Sequence, residues 1–90
     1  MWDDAKNLTN IKKHRVIFDD AIRTYYDPNR LDIFDEVHST PEETRWIYLG
    51  LANETVLFVV ETEASKDEIR IISARKALKH EQEEYYGNGN

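Results

Sequence analysis

The stretch that decides the fold is RWIYLGLANETVLFVVET, Arg45 to Thr62. Two runs rich in β-branched and aromatic residues, Arg45 to Ala52 and Thr55 to Thr62, flank Asn53-Glu54. Residues of that kind fit a pleated, half-buried surface, and a two-residue spacer is the length of a tight hairpin turn. A hairpin is therefore expected, with both strands close to continuously apolar. A third strand is expected at Ile69 to Ser73, reached through the polar loop Ala64 to Glu68. From about Ser73 a helix is expected to run to Tyr85 or Tyr86, with Ala74, Ala77, Leu78, Glu81 and Tyr85 along one face. Gly87 to Asn90 reads as a frayed tail.

Working toward the N-terminus, His38 to Thr44 is a polar loop around Pro41, and Leu31 to Val37 is a short strand with weak patterning. Asp27-Pro28-Asn29 ends a helix, because proline disfavours helical backbone in the residue before it. That helix carries Phe18, Ala21, Ile22 and Tyr25 at the spacing of one buried stripe. Before it, Asp3 or Asp4 caps a first helix to about His14, with Ala5, Leu8 and Ile11 on a shared face. Two helices, consecutive strands and a last helix indicate one α+β domain over residues 1–90 with a mainly antiparallel sheet.

Composition narrows the function. The chain has 90 residues, too few for a second core. Cysteine is absent, which removes disulfide, thiolate and zinc–cysteine chemistry. No apolar run nears the ~20 residues of a membrane span and the first residues do not read as a signal peptide, so the expected location is the cytoplasm. His14, His38 and His80 lack metal-ligand spacing, and three glycines supply no phosphate-cradling loop, so no metal or cofactor is expected. The net charge is −6, yet Ile69 to His80 holds Arg70, Arg75, Lys76 and Lys79 without a carboxylate. Four of the twelve cations in so short an unopposed run suggest an anionic ligand.

Several pieces together resemble a known family. They are WDxxKNxxxxxKH at Trp2 to His14, VxFDDA at Val16 to Ala21, DP at Asp27-Pro28, His38 followed by RWxxLG at Arg45 to Gly50, VLFVV at Val56 to Val60, and RIISARKA at Arg70 to Ala77. In order and spacing they are similar to the BrnT toxins of type II toxin–antitoxin systems, over nearly the whole chain. The resemblance implies a RelE-like fold and a metal-independent endoribonuclease that blocks translation. It also implies a BrnA-like antitoxin partner, through which any DNA contact is indirect. The chain departs from the family pattern at Arg15, commonly Gly; at Glu61, often Tyr; at Thr44, commonly an acid; and at Glu81, Glu83 and Glu84, in a usually more basic last helix.

Cleaving RNA without a metal needs a base for the 2′-hydroxyl, cations for the charge of the transition state, and an acid for the leaving 5′-oxygen. Arginine grips phosphate through a planar fork, and histidine titrates near neutrality. The catalytic candidates are accordingly His14, His38, Arg45, Arg70 and Arg75. Lys13, Lys76, Lys79, Tyr85 and Tyr86 are candidates for contacting RNA. Each has a plainer alternative. Arg70 and Arg75 could pair with the acids between Glu61 and Glu68, His14 could stabilise a helix end, His38 could simply face solvent, and Arg45 could cap a sheet edge. A chain that only binds a protein partner is the alternative to an RNA-cleaving toxin.

Overall fold

The structure, a computed structural model, describes residues 2–65 and 68–87. Four strands form one antiparallel meander in the order β1 (Leu31–Phe34), β2 (Thr44–Ala52), β3 (Thr55–Ser65) and β4 (Glu68–Lys76). Helix α1 (Asp4–His14), helix α2 (Phe18–Arg23) and a 3₁₀ turn at Thr24–Tyr26 precede the sheet, and helix α3 (Lys79–Gly87) follows it. This is the expected α+β arrangement.

The central hairpin forms as read. Register runs unbroken from Ala52↔Thr55 to Thr44↔Glu63, around the two-residue turn Asn53-Glu54. Both turn residues have positive φ, 49° and 69°, the sense of bend that matches strand twist. β1 adds to β2 with Leu31 opposite Leu49 but stops at Phe34, three residues short of the expected end. There Asp35 turns the chain, accepting the His38 N–H. β3 and β4 are longer than expected and shorten the polar loop; Lys66 and Asp67 of that loop, like 88–90 of the tail, lie outside the described residues.

The larger difference is at the end of β4. The expected helix from Ser73 begins only at Lys79, and Ala74, Arg75 and Lys76 pair with Val59, Phe58 and Leu57 of β3. Local helix propensity there is high, but the Ala77 N–H continues the ladder to the Val56 carbonyl, 3.0 Å. Sheet pairing overrides propensity. Glu81 then starts α3 by accepting the Leu78 N–H at 2.7 Å, the returning half of a capping box.

Alternation along the strands divides the core into two layers. One face carries Leu57, Val59, Ile71 and Ala74 against Val16, Phe18 and Ala21 of the N-terminal helical segment, with Trp2, Tyr25 and Tyr48 packed around them. The other carries Leu49, Leu51, Val56 and Phe58 with Ala77 and Tyr85. Gly50 is required at the first layer: an added Cβ would lie 2.7 Å from the Thr24 Cβ. Glu61 is buried on that face too, where it accepts hydrogen bonds from the Tyr25 and Tyr48 hydroxyls, so this acid fills a core position. Burial raises its pKa.

Two residues carry a backbone conformation better suited to glycine. Arg15 closes α1 in the left-handed region, φ 58° and ψ 33°, donating its N–H to the Ile11 carbonyl. Glu54 is the second residue of the hairpin turn. Left-handed backbone costs an ordinary side chain about 1–2 kcal/mol. Arg15→Gly and Glu54→Gly should therefore each stabilise the protein by about 1 kcal/mol in urea unfolding, raising Tm by about 4–8 °C. Unchanged or lower midpoints would show that the side chains make contacts worth more than the strain.

Candidate functional site

Register puts all three candidate arginines on one face of the sheet. Arg45 of β2, Thr62 of β3 and Arg70 of β4 form a cross-strand row, and Arg75 lies opposite Phe58 on the same face. Arg70 and Arg75 are five positions apart, so a regular strand would aim them to opposite faces. A bulge decides otherwise. Ser73 pairs with Val60 and Ile71 with Glu61, which leaves Ile72 as the extra residue and returns Arg75 to the face of Arg70. Two strand spacings separate Arg45 from Arg70, about 10 Å between backbones, and Arg75 lies about 13 Å further along the sheet.

Arg75 is a β4 residue and not part of the last helix, where a helix starting at Ser73 would have put it. Its guanidinium grips Glu81 with two hydrogen bonds, 2.8 and 2.9 Å, and lies 3.9 Å from the centre of the Phe58 ring. The hydrogen bonds from Arg75 hold the Glu81 carboxyl below its ordinary value. Arg70 is exposed and pairs with Glu68 at 2.9 Å. An acidic partner was thus legible for Arg70, whereas Arg75 found its partner in α3.

Arg45 is half-buried, and its Nε has no hydrogen-bond partner among the described residues. Its backbone is held by Ser39, whose Oγ accepts the Arg45 N–H at 2.9 Å. Beside it, His38 Nδ1 lies 2.8 Å from Asp35 Oδ2. Burial alone would raise the Asp35 carboxyl; hydrogen bonds from His38 and the field of Arg45 bring it below the usual range. Asp35, His38 and Arg45 therefore form one cluster at the β1–β2 end, facing the row that leads to Arg70. Asp35 was missed in the sequence; the available signal was an acid three residues before a histidine.

His14 and Lys13 are elsewhere. They line an open groove of about 370 Å³ between α1 and β4, with Lys6 and Thr9 on one wall and Ile72 and Ser73 on the other. Strand order puts His38 beside one edge of the sheet and His14 beside the other, with three strand spacings, about 14 Å, between the two edge strands. Lys76 and Lys79 are exposed and form no ion pair among the described residues. Tyr85 is buried, and its hydroxyl donates to Asp27, which also takes the Leu51 N–H at 2.8 Å. Burial and that bond push the tyrosine pKa up to about 12. Tyr85 is thus a packing anchor, while Tyr86 is exposed with its ring edge-on to Tyr85.

The Arg75–Glu81 pair gives the acid limb of stability a defined sign. The folded pKa of Glu81 is lowered from 4.5, so its contribution is complete above that value and is lost as pH falls through the folded one. Glu81→Gln should flatten the stability profile below about pH 5. Arg75→Met, which strands a nearly buried carboxylate, should cost about 3 kcal/mol at neutral pH. Urea midpoints measured from acid to neutral pH would refute this if both variants tracked the wild type.

Among the described residues, no helix is long and apolar enough to cross a membrane. No curated protein matches the chain. Residues 2–81 match a family described as the ribonuclease toxin, BrnT, of type II toxin-antitoxin systems. The matched span holds every candidate catalytic residue, from His14 to Arg75, and runs as far as Glu81. With that much of the chain covered, the protein belongs to the BrnT family of ribonuclease toxins.

Proposed function

We propose that the chain is a metal-independent endoribonuclease that arrests translation by cutting RNA, and that a BrnA-like antitoxin neutralises it in the cytoplasm. Family membership implies an antitoxin partner in general terms. What carries the catalytic reading is the row Arg45–Thr62–Arg70, two cations from different strands on one face beside His38. A phosphate held there meets Arg70 and Arg45, with Arg75 further along. The histidine facing it, in neutral form, takes the 2′-hydroxyl proton. The 2′-oxygen then attacks phosphorus, and the arginines stabilise the added negative charge. The phosphorus–5′-oxygen bond breaks, the leaving oxygen takes a proton from the imidazolium by way of water, and the products are a 2′,3′-cyclic phosphate and a 5′-hydroxyl. Given the separation of the two histidines, His38 serves a phosphate at the Arg45 end and His14 one at the β4 edge.

A second reading has an observation in its favour. Arg70 and Arg75 each already hold a carboxylate, as expected of a chain that only binds its antitoxin. The two readings separate in one experiment. Purified wild type, Arg45→Ala, Arg70→Ala, Arg75→Ala, His14→Ala and His38→Ala are incubated with RNA in EDTA, with and without ribosomes, after folding is checked. Loss of a cation from the site should slow cleavage by about 100–1,000-fold, more than a surface ion pair explains. Cleavage by wild type and equal cleavage by every folded variant would exclude these residues. No cleavage by wild type under any of these conditions would leave the partner-binding reading.

A further inference from the structure

The groove between α1 and β4 is not accounted for by the arginine row. Its lining includes Lys6, Thr9, Lys13, His14, Ile72 and Ser73 and, among the described residues, no carboxylate, in a chain of net charge −6. Lys6 sits in the first turn of α1, where the helix dipole disfavours a cation. Neither Lys6 nor Lys13 has an ion-pair partner among the described residues. A bound anion would offset the cost at Lys6, and Lys13, two turns along the same helix, adds a second unpaired cation to the groove. The volume, about 370 Å³, falls at the low end of the ~300–1,000 Å³ of small-molecule sites, which is room for one nucleotide.

Position on the sheet adds a second argument. The β4 wall of the groove is Ile72-Ser73, the bulge and the residue after it. Arg70 and Arg75 lie two positions outside that wall on either side, about 7 Å of strand in each direction. A strand of RNA whose phosphate meets one of these arginines therefore has its neighbouring nucleotide at the mouth of the groove. We propose that the α1–β4 groove is a subsite for one nucleotide of single-stranded RNA, in which Lys6 meets a phosphate and Thr9 and Ser73 supply hydroxyls to the base or ribose. The proposal rests on the ribonuclease reading above for its substrate class, yet it is tested by binding alone.

The probe is a fluorescein-labelled, 2′-fluoro single-stranded oligonucleotide roughly eight nucleotides long, which cannot be cleaved and whose binding is read by anisotropy. Thr9→Trp fills the groove from an exposed helical position and should weaken binding about tenfold, with little effect on the same sequence as a duplex. Lys6→Ala should lower the slope of log Kd against log salt by about 0.7, the share of one phosphate contact on a single strand. Circular dichroism and urea midpoints confirm that both variants fold. If Thr9→Trp binds the oligonucleotide as tightly as wild type, or if wild type does not bind it, the subsite is wrong. Unchanged oligonucleotide binding with loss of the co-purified antitoxin would assign the groove to the protein partner and overturn the proposal. Weakened binding in a wild-type background that never cleaves would keep the subsite while rejecting the catalytic reading.

Discussion

Asn10 is the residue on which the arrangement depends. Its amide is buried and makes three hydrogen bonds: donating to the Val16 and Ala74 carbonyls at 2.8 and 2.7 Å, and accepting the Ala74 N–H at 3.1 Å. A side-chain amide thus pairs with both backbone groups of a residue on β4, as a neighbouring strand would. Among the described residues, the outer edge of β4 is otherwise paired at a single bridge, from Trp2 to Ile71. Unpaired strand edges recruit other chains, so closing one internally has value beyond the energy of the bonds. The same three bonds set the height and rotation of α1 over the sheet. His14, one turn along from Asn10, and the lysines beside it owe their position to that contact.

The opposite layer is held by a different device. α3 is nine residues long and too short to persist alone in water. Two polar anchors fix it: Glu81 to Arg75 near its start and Tyr85 to Asp27 near its end. Asp27 simultaneously satisfies the Leu51 N–H beyond the end of β1 and the Asn29 N–H in the adjoining turn. One carboxylate therefore joins the chain before the sheet, the C-terminal end of β2 and the last helix. Removal of such a partner leaves other buried groups unsatisfied, which costs more than the bonds contribute.

The hairpin Arg45–Thr62, both N-terminal helices and the sense of the sheet were legible because each has a local cause: strand-forming apolar runs around a two-residue spacer, a capping acid, a proline stop. The junction near Ser73 was not, since Ala74 to Leu78 is good helix sequence locally and becomes strand through pairing with β3 and with Asn10, partners far away in the chain. For the candidate site, residue types were readable and sidedness only partly so. In the strand read at Ile69 to Ser73, simple alternation already separates Arg70 from Ile69 and Ile71. Arg75 shares its face because of the extra residue at Ile72, and a bulge has no signature in that run of β-branched residues. The Asp35–His38 pair and the Lys6 side of the groove depend on where a strand stops and on how a helix sits, which are tertiary facts.

Strand order equals chain order throughout the meander, so each strand finds its partner within a short loop. Pairings of that kind close at little entropic cost and favour rapid folding. Among the long-range exceptions are the bonds from Asn10 to Ala74, which span 64 residues, and the bridge from Trp2 to Ile71. Closure of so long a loop is rewarded only after the edge it binds exists. The strand carrying Arg70 and Arg75 can thus assemble with its neighbours ahead of the helix carrying Lys6 and His14. In a nascent chain, whose first residues wait longest for their partners, the basic rim along α1 can be completed only after the fourth strand has been synthesised.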